Sequence, residues 1–189
     1  MPATIDATVG GADANSYLTI AAADTLAETM LGTLAWTTAT EDEQTRALIT
    51  ATRGLDTLGW IGTKTTTTQA LAWPRTDASC DGTDYATDAI PDPILYATFD
   101  LANALLTTPG LLQTPPASST SLVPGIPNRT LSRLKLDVME LEFRSDVSSS
   151  AQAIVNPLTA LPHLATILGC LTTSTIPGGS GRIVTRVRS

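Results

Sequence analysis

The chain of 189 residues predicts a mainly α fold: a small helical bundle of about four helices, with a β-hairpin and extended N- and C-terminal arms. Three observations carry this. Apolar residues recur at three- and four-residue spacing in four separate stretches, which is the period of a helix with one buried face. A run with five prolines between Pro109 and Pro127 interrupts that period. Beyond it, Leu134, Leu136 and Val138 alternate with polar residues, the period of a strand.

In chain order, residues 1–15 are rich in glycine and alanine and read as a short extended arm, with Asn15 and Ser16 as cap residues. The first helix is predicted over Thr19–Leu31, from Ala23, Leu26, Ala27, Met30 and Leu31, with Gly32 closing it. Thr40 and Glu43 form a capping box, and Glu41, Asp42 and Glu43 lie at the positive end of the helix dipole that follows. Leu48, Ala51, Leu55 and Leu58 make the buried stripe of that second helix, which runs toward Gly59-Trp60.

Thr63–Thr68 reads as a loop or short edge strand entering Gln69-Ala70-Leu71-Ala72-Trp73-Pro74-Arg75. Proline after Trp73 keeps that residue out of the helical region, so the heptapeptide is predicted to be extended and packed. Arg75 then brings a forked, permanently charged donor beside a packed ring, where the helix-borne carboxylate of Asp56 is the expected partner. In Asp77–Asp88, oxygens at relative positions 1, 3, 5 and 12 with glycine at 6 imitate an EF-hand calcium loop. Position 12 is aspartate rather than glutamate and no helix enters, so a hydrogen-bonded loop is the expectation, and no metal or other cofactor is assigned.

Pro91 suits the first position of a third helix with Ile94, Thr98, Leu101 and Leu105 on its apolar face, and Asp100 and Asn103 on the solvated side. Residues 109–127 read as a linker loop, and 131–145 as a hairpin with a bulge or tight turn at Met139-Glu140. A last helix is predicted over 157–171, its beginning confined by Pro157 and Pro162. His163, the single histidine, has no placed catalytic partner and is assigned no chemistry. The division is one helical domain over 1–172, with its core at 16–108, then a C-terminal arm over 173–189 with a flexible spacer up to Gly181. In the arm, Arg182, Ile183, Val184, Arg186, Val187 and Arg188 combine basic and β-branched residues, a pattern suited to strand addition or charge pairing with another protein.

The net charge of −7 argues against a free-standing nucleic-acid binder, and the aromatic content of 4% leaves few stacking platforms. Cys80 and Cys170 form no CxxC pair, so two free thiols in a reducing compartment are expected. No stretch approaches the apolar length of a membrane span, and no export signal is recognised. Phosphate loop, nucleophile elbow and paired-histidine motifs are absent, so no enzymatic activity is expected.

Ala14-Asn15-Ser16-Tyr17, Ala51-Thr52-Arg53-Gly54-Leu55-Asp56, Gln69–Arg75 and Ala89-Ile90-Pro91 together resemble the small neck proteins of tailed phages. These are head–tail connector (adaptor) proteins, some of which carry the label of DnaT-like single-strand DNA-binding proteins. The resemblance covers roughly residues 12–108 and is carried most specifically by Trp73, Pro74 and Arg75, with Asp56 and Pro91 as further motif positions. It implies a structural role: a homo-oligomeric ring of about twelve copies in the virion neck, assembled in the host cytoplasm. That ring would sit under the portal protein, receive the next neck or tail component, and let DNA pass as cargo. The residues 182–188 would be its portal-docking arm. The alternative the label implies is a single-stranded DNA-binding module.

Overall fold

A computed structural model describes residues 3–80, 82–113 and 155–173, and the backbone of 133–136 and 139–142. The chain divides into two compact units, one of residues 1–112 with 155–189 and one of residues 113–154. Among the described residues it is mainly helical, as the sequence predicts.

In the first unit, α1 (Ile20–Thr29) is capped by Thr19, whose hydroxyl accepts from the Ala22 N–H. Asn15 and Ser16, the expected caps, do other work. Asn15 Oδ1 accepts from the Asp6 N–H and its Nδ2 donates to the Thr4 carbonyl, so the N-terminal segment is stapled into a loop and is not an extended arm. Ser16 Oγ donates to the Leu18 carbonyl in a buried turn. The helix stops two residues before Leu31, which is fully exposed beside Gly32 at φ +79. A short helix that the period did not reveal, α2 (Leu34–Thr38), follows and buries Trp36.

α3 (Glu41–Asp56) begins with the predicted capping box: the Thr40 hydroxyl accepts from the Glu43 N–H while the Glu43 carboxylate accepts from the Thr40 N–H. Those hydrogen bonds hold the Glu43 carboxyl below its usual pKa. The buried face of α3 packs on α4 (Asp92–Thr107), whose cap residue is Pro91, with Pro93 in the first turn. Leu48, Leu55, Ile94 and Leu101 are fully buried, and the ring of Phe99 meets Trp36 edge to face at 5.5 Å. Burying large side chains such as these contributes on the order of 2 kcal/mol each. α2 also packs against α4.

Between α3 and α4 the chain forms two small antiparallel ladders. β1 (Thr63–Lys64) pairs with β2 (Arg75–Thr76), and β3 (Ser79–Cys80) pairs with β4 (Thr83–Asp84). The stretch that imitates a calcium loop is largely a tight hairpin, with Gly82 at φ +83, and Asp81 of that motif lies outside the described residues.

The predicted last helix is two helices, α5 (Pro157–Ala160) and α6 (Pro162–Leu168). Leu161 precedes a proline and adopts φ −129, ψ 88, outside the helical region, which breaks the helix at that point. Leu158, Leu164, Leu168 and Leu171 are nonetheless buried as the spacing requires.

In the second unit, β5 (Arg133–Leu136) pairs antiparallel with β6 (Met139–Glu142). Leu136 pairs with Met139, so Met139 and Glu140 belong to the second strand and not to the bulge or turn that the alternation suggests. The linker over 114–127 and the arm over 174–189 lie outside the described residues.

Candidate functional site

The motif positions Asp56, Trp73, Pro74 and Arg75 come together at the C-terminal end of α3, joined by Tyr17 and Gln69. Trp73 and Pro74 are linked by a cis peptide bond, and both are buried. The Trp73 ring is flanked edge to face by Trp60 at 5.8 Å and by Tyr85 at 6.2 Å.

Arg75 does not pair directly with Asp56. Its Nε donates to the Ile61 carbonyl at 2.6 Å, Nη2 to the Gly62 carbonyl at 2.6 Å, and Nη1 to the Ala72 carbonyl at 3.1 Å. The Asp56 carboxylate accepts from the Ala72 N–H at 3.2 Å and from the Tyr17 hydroxyl. The peptide groups of Ala72 thus bridge the two charges. A forked guanidinium suits three converging carbonyls better than one carboxylate, and Asp56 is then free to satisfy donors that would otherwise be buried without a partner. Burial lowers the Arg75 pKa from its ordinary value, opposed by Tyr17 and Asp56. Burial likewise raises the Asp56 carboxyl, against the pull of its hydrogen bonds. The Tyr17 hydroxyl is raised, first by burial and then by the adjacent Asp56 charge.

Gln69 completes the turn. Its Nε2 donates to the carbonyls of Leu71 and Pro74, both at 3.0 Å, and its Oε1 accepts from the Thr66 N–H. The Ala70 N–H donates to the Gly11 carbonyl, and the Tyr17 N–H to Thr52 Oγ1, which ties the N-terminal segment to the heptapeptide and to α3. The side chains of Tyr17, Asp56, Gln69 and Arg75 bond to other parts of the same chain, while the buried Nε1 of Trp73 has no partner among the described residues. The cluster organises the fold, and Pro91, buried at the head of α4, sits apart from it as a helix cap.

Other predicted positions resolve differently. Asn103 is not a solvated residue: its Oδ1 accepts from the Trp36 N–H and its Nδ2 donates to the Gly32 carbonyl, fastening the α1–α2 connection to α4. Asp100 pairs at 3.3 Å with the exposed His163. Cys80 and Cys170 are not free thiols; the fold brings their Cα atoms to 5.8 Å and they are bonded across 90 residues of sequence. Arg182, Ile183, Val184, Arg186, Val187 and Arg188 lie outside the described residues.

Among the described residues few aromatic rings are exposed. Trp36, Trp60 and Trp73 are all buried, and Tyr96, 43% exposed, is the one large aromatic standing open among the described residues. Residues 1–113 carry four Lys or Arg against fourteen Asp or Glu, whereas residues 114–189 carry seven against four. Sequence reasoning noted the basic tail but not this division of charge, which simple counting reveals. No group of three or more metal-ligating side chains occurs among the described residues, and no helix among them is long and apolar enough to cross a membrane.

Among known protein families, a model described as "Putative DnaT-like ssDNA binding protein" matches residues 1–188. No curated protein and no solved structure matches the chain.

Proposed function

Because the chain belongs to the family of putative DnaT-like ssDNA binding proteins, we propose that it engages single-stranded DNA through the lysine and arginine side chains of residues 129–188. The observation that carries the reading is the family match, which spans residues 1–188. Charge distribution supports a choice of contacts. The body, with fourteen acids to four bases in residues 1–113, repels phosphate, and its tryptophans are internal. Arg129, Arg133, Lys135 and Arg144, with Arg182, Arg186 and Arg188, supply the cations. Such binding is electrostatic, weakly selective among sequences and steeply dependent on salt. Fluorescence anisotropy of a labelled oligothymidine with the full chain tests it. Affinity that falls as salt rises supports the proposal, and no binding at low ionic strength refutes it.

A second reading is favoured by the acidic body itself: a structural head–tail connector, as the resemblance of Gln69–Arg75 and Ile90-Pro91 implies. In a ring of about twelve copies under a portal protein, an acidic wall does not retain DNA that passes through, whereas a basic lining holds it by its phosphates. The portal-docking arm is then Arg182, Ile183, Val184, Arg186, Val187 and Arg188, and the next neck component binds the opposite face. Native mass spectrometry of the protein, alone and mixed with portal, decides this reading. A fixed-stoichiometry assembly that is lost on deletion of Arg182–Ser189 supports it; a monomer that ignores portal removes it.

A further inference from the structure

We propose that Cys80 and Cys170 form a redox-operated clip that fastens the root of the C-terminal segment to the helical body. Cys80 lies in β3, immediately beyond the Trp73–Arg75 turn, and Cys170 lies two residues past the end of α6. Their Cα atoms are 5.8 Å apart, within the span a disulfide bridges, and they are the only two cysteines of the chain.

What the bond holds is a short strap. The Ile61 N–H donates to the Leu171 carbonyl at 3.0 Å, Trp60 and Thr172 form an isolated antiparallel bridge, and the Thr173 N–H donates to the Gly59 carbonyl at 2.7 Å. Leu171 is buried beneath it. Three residues of backbone pairing form a weak ladder by themselves, since a two-stranded ribbon of that length is marginal in water. The covalent link adjoins the strap at Cys170, so closing it removes the main route by which the strap opens.

Access permits the switch. Cys170 is exposed and Cys80 half-buried, so a small disulfide oxidant reaches Cys170 first. The Cys170 thiolate attacks one sulfur of oxidised glutathione and expels a glutathione thiolate. The Cys80 thiolate then attacks the Cys170 sulfur of the mixed disulfide and expels the second. Two cysteine thiols are oxidised, and one glutathione disulfide is reduced to two thiols. In a reducing cell interior the pair stands as dithiol and the clip is open; in an oxidising medium it closes.

The test compares the full chain treated with oxidised glutathione against the same protein reduced with a phosphine. Iodoacetamide under denaturing conditions, followed by intact mass, is expected to add no carbamidomethyl groups to the first and two to the second. Amide exchange at Ile61 and Thr173 is expected to be at least about tenfold faster in the reduced protein, while amides within α3 and α4 keep their rates. Cys80→Ser fixes the open form, and its exchange at Ile61 and Thr173 stops responding to oxidant; should that variant fold poorly, the reduced natural protein supplies the open form. Two alkylated cysteines after oxidation overturn the proposal. Identical exchange at Ile61 and Thr173 in the two redox states also overturns it.

Discussion

The Tyr17 hydroxyl donates to the carboxylate of Asp56, 39 residues further along the chain and on a different element. Asp56 also accepts from Ala72, so one carboxylate joins the N-terminal segment, the end of α3 and the turn before Trp73. Removing it strands two buried donors. Asp56→Ala is expected to lower stability by about 2–4 kcal/mol, the cost of leaving such groups unpaired. Asp56→Asn keeps an acceptor and is expected to lose less. Urea denaturation of both variants measures the difference.

The same residue sets a pH dependence. Burial raises the folded-state pKa of Asp56 above its value in the unfolded chain, so folding favours the protonated form. Its contribution is fully present below the unfolded value and is lost as pH rises through the folded one. Ionisation of Asp56 therefore destabilises at neutral pH. Asp56→Asn is expected to flatten the pH profile of stability in that window, and denaturation midpoints taken from mildly acidic to neutral pH check the slope against the natural protein.

Gly62 has φ +70, and an added Cβ would fall on the carbonyl oxygen of Thr76 and within 3.0 Å of the Ala78 nitrogen. Neither neighbour is a side chain that can swing away. Gly62→Ala is expected to cost about 3 kcal/mol from left-handed strain and backbone collision together. Gly32, at φ +79 with nothing within 4 Å, is the control, and Gly32→Ala is expected to cost about 1 kcal/mol. Thermal melts of the two variants side by side give the contrast.

Trp36 Nε1 donates to Asp24 at 2.8 Å, whereas Trp60 Nε1 has no partner among the described residues. Phenylalanine at either site removes comparable volume. Trp36→Phe additionally gives up a hydrogen bond, so it is expected to be the more destabilising by about 1 kcal/mol. Guanidinium midpoints of the two variants test the order.

Replacing Arg182, Arg186 and Arg188 together by serine is expected to reduce the salt dependence of single-stranded DNA binding by a slope of about 2, since each phosphate contact on a single strand contributes about 0.7. An unchanged slope in anisotropy titrations would move the contacts to the basic residues of 129–144.

Much of the helical frame was legible before the fold. The capping box at Thr40 and Glu43 and the stripe Leu48, Ala51 and Leu55 are encoded within a turn or two of helix, where sequence spacing is spatial distance. The break at Leu161 was legible too, because proline restricts its predecessor locally, but the leucine spacing across it obscured the signal. α2 was not legible, since five residues are too few to establish a period. In the motif cluster, the packed and non-helical character of Trp73-Pro74 follows from the sequence. The choice of three carbonyls over Asp56 as partners of Arg75 does not.

The sequence by itself determined where α3 begins, which faces α3 and α4 bury and where charge of each sign accumulates, because these depend on residues close together in the chain. Only the tertiary structure decided that Asn103 holds Trp36 and Gly32, that Ala72 stands between Asp56 and Arg75, and that Cys80 meets Cys170. Those pairings join positions up to 90 residues apart. The packing of α3 on α4 determines which side chains come within reach, and no local preference encodes that.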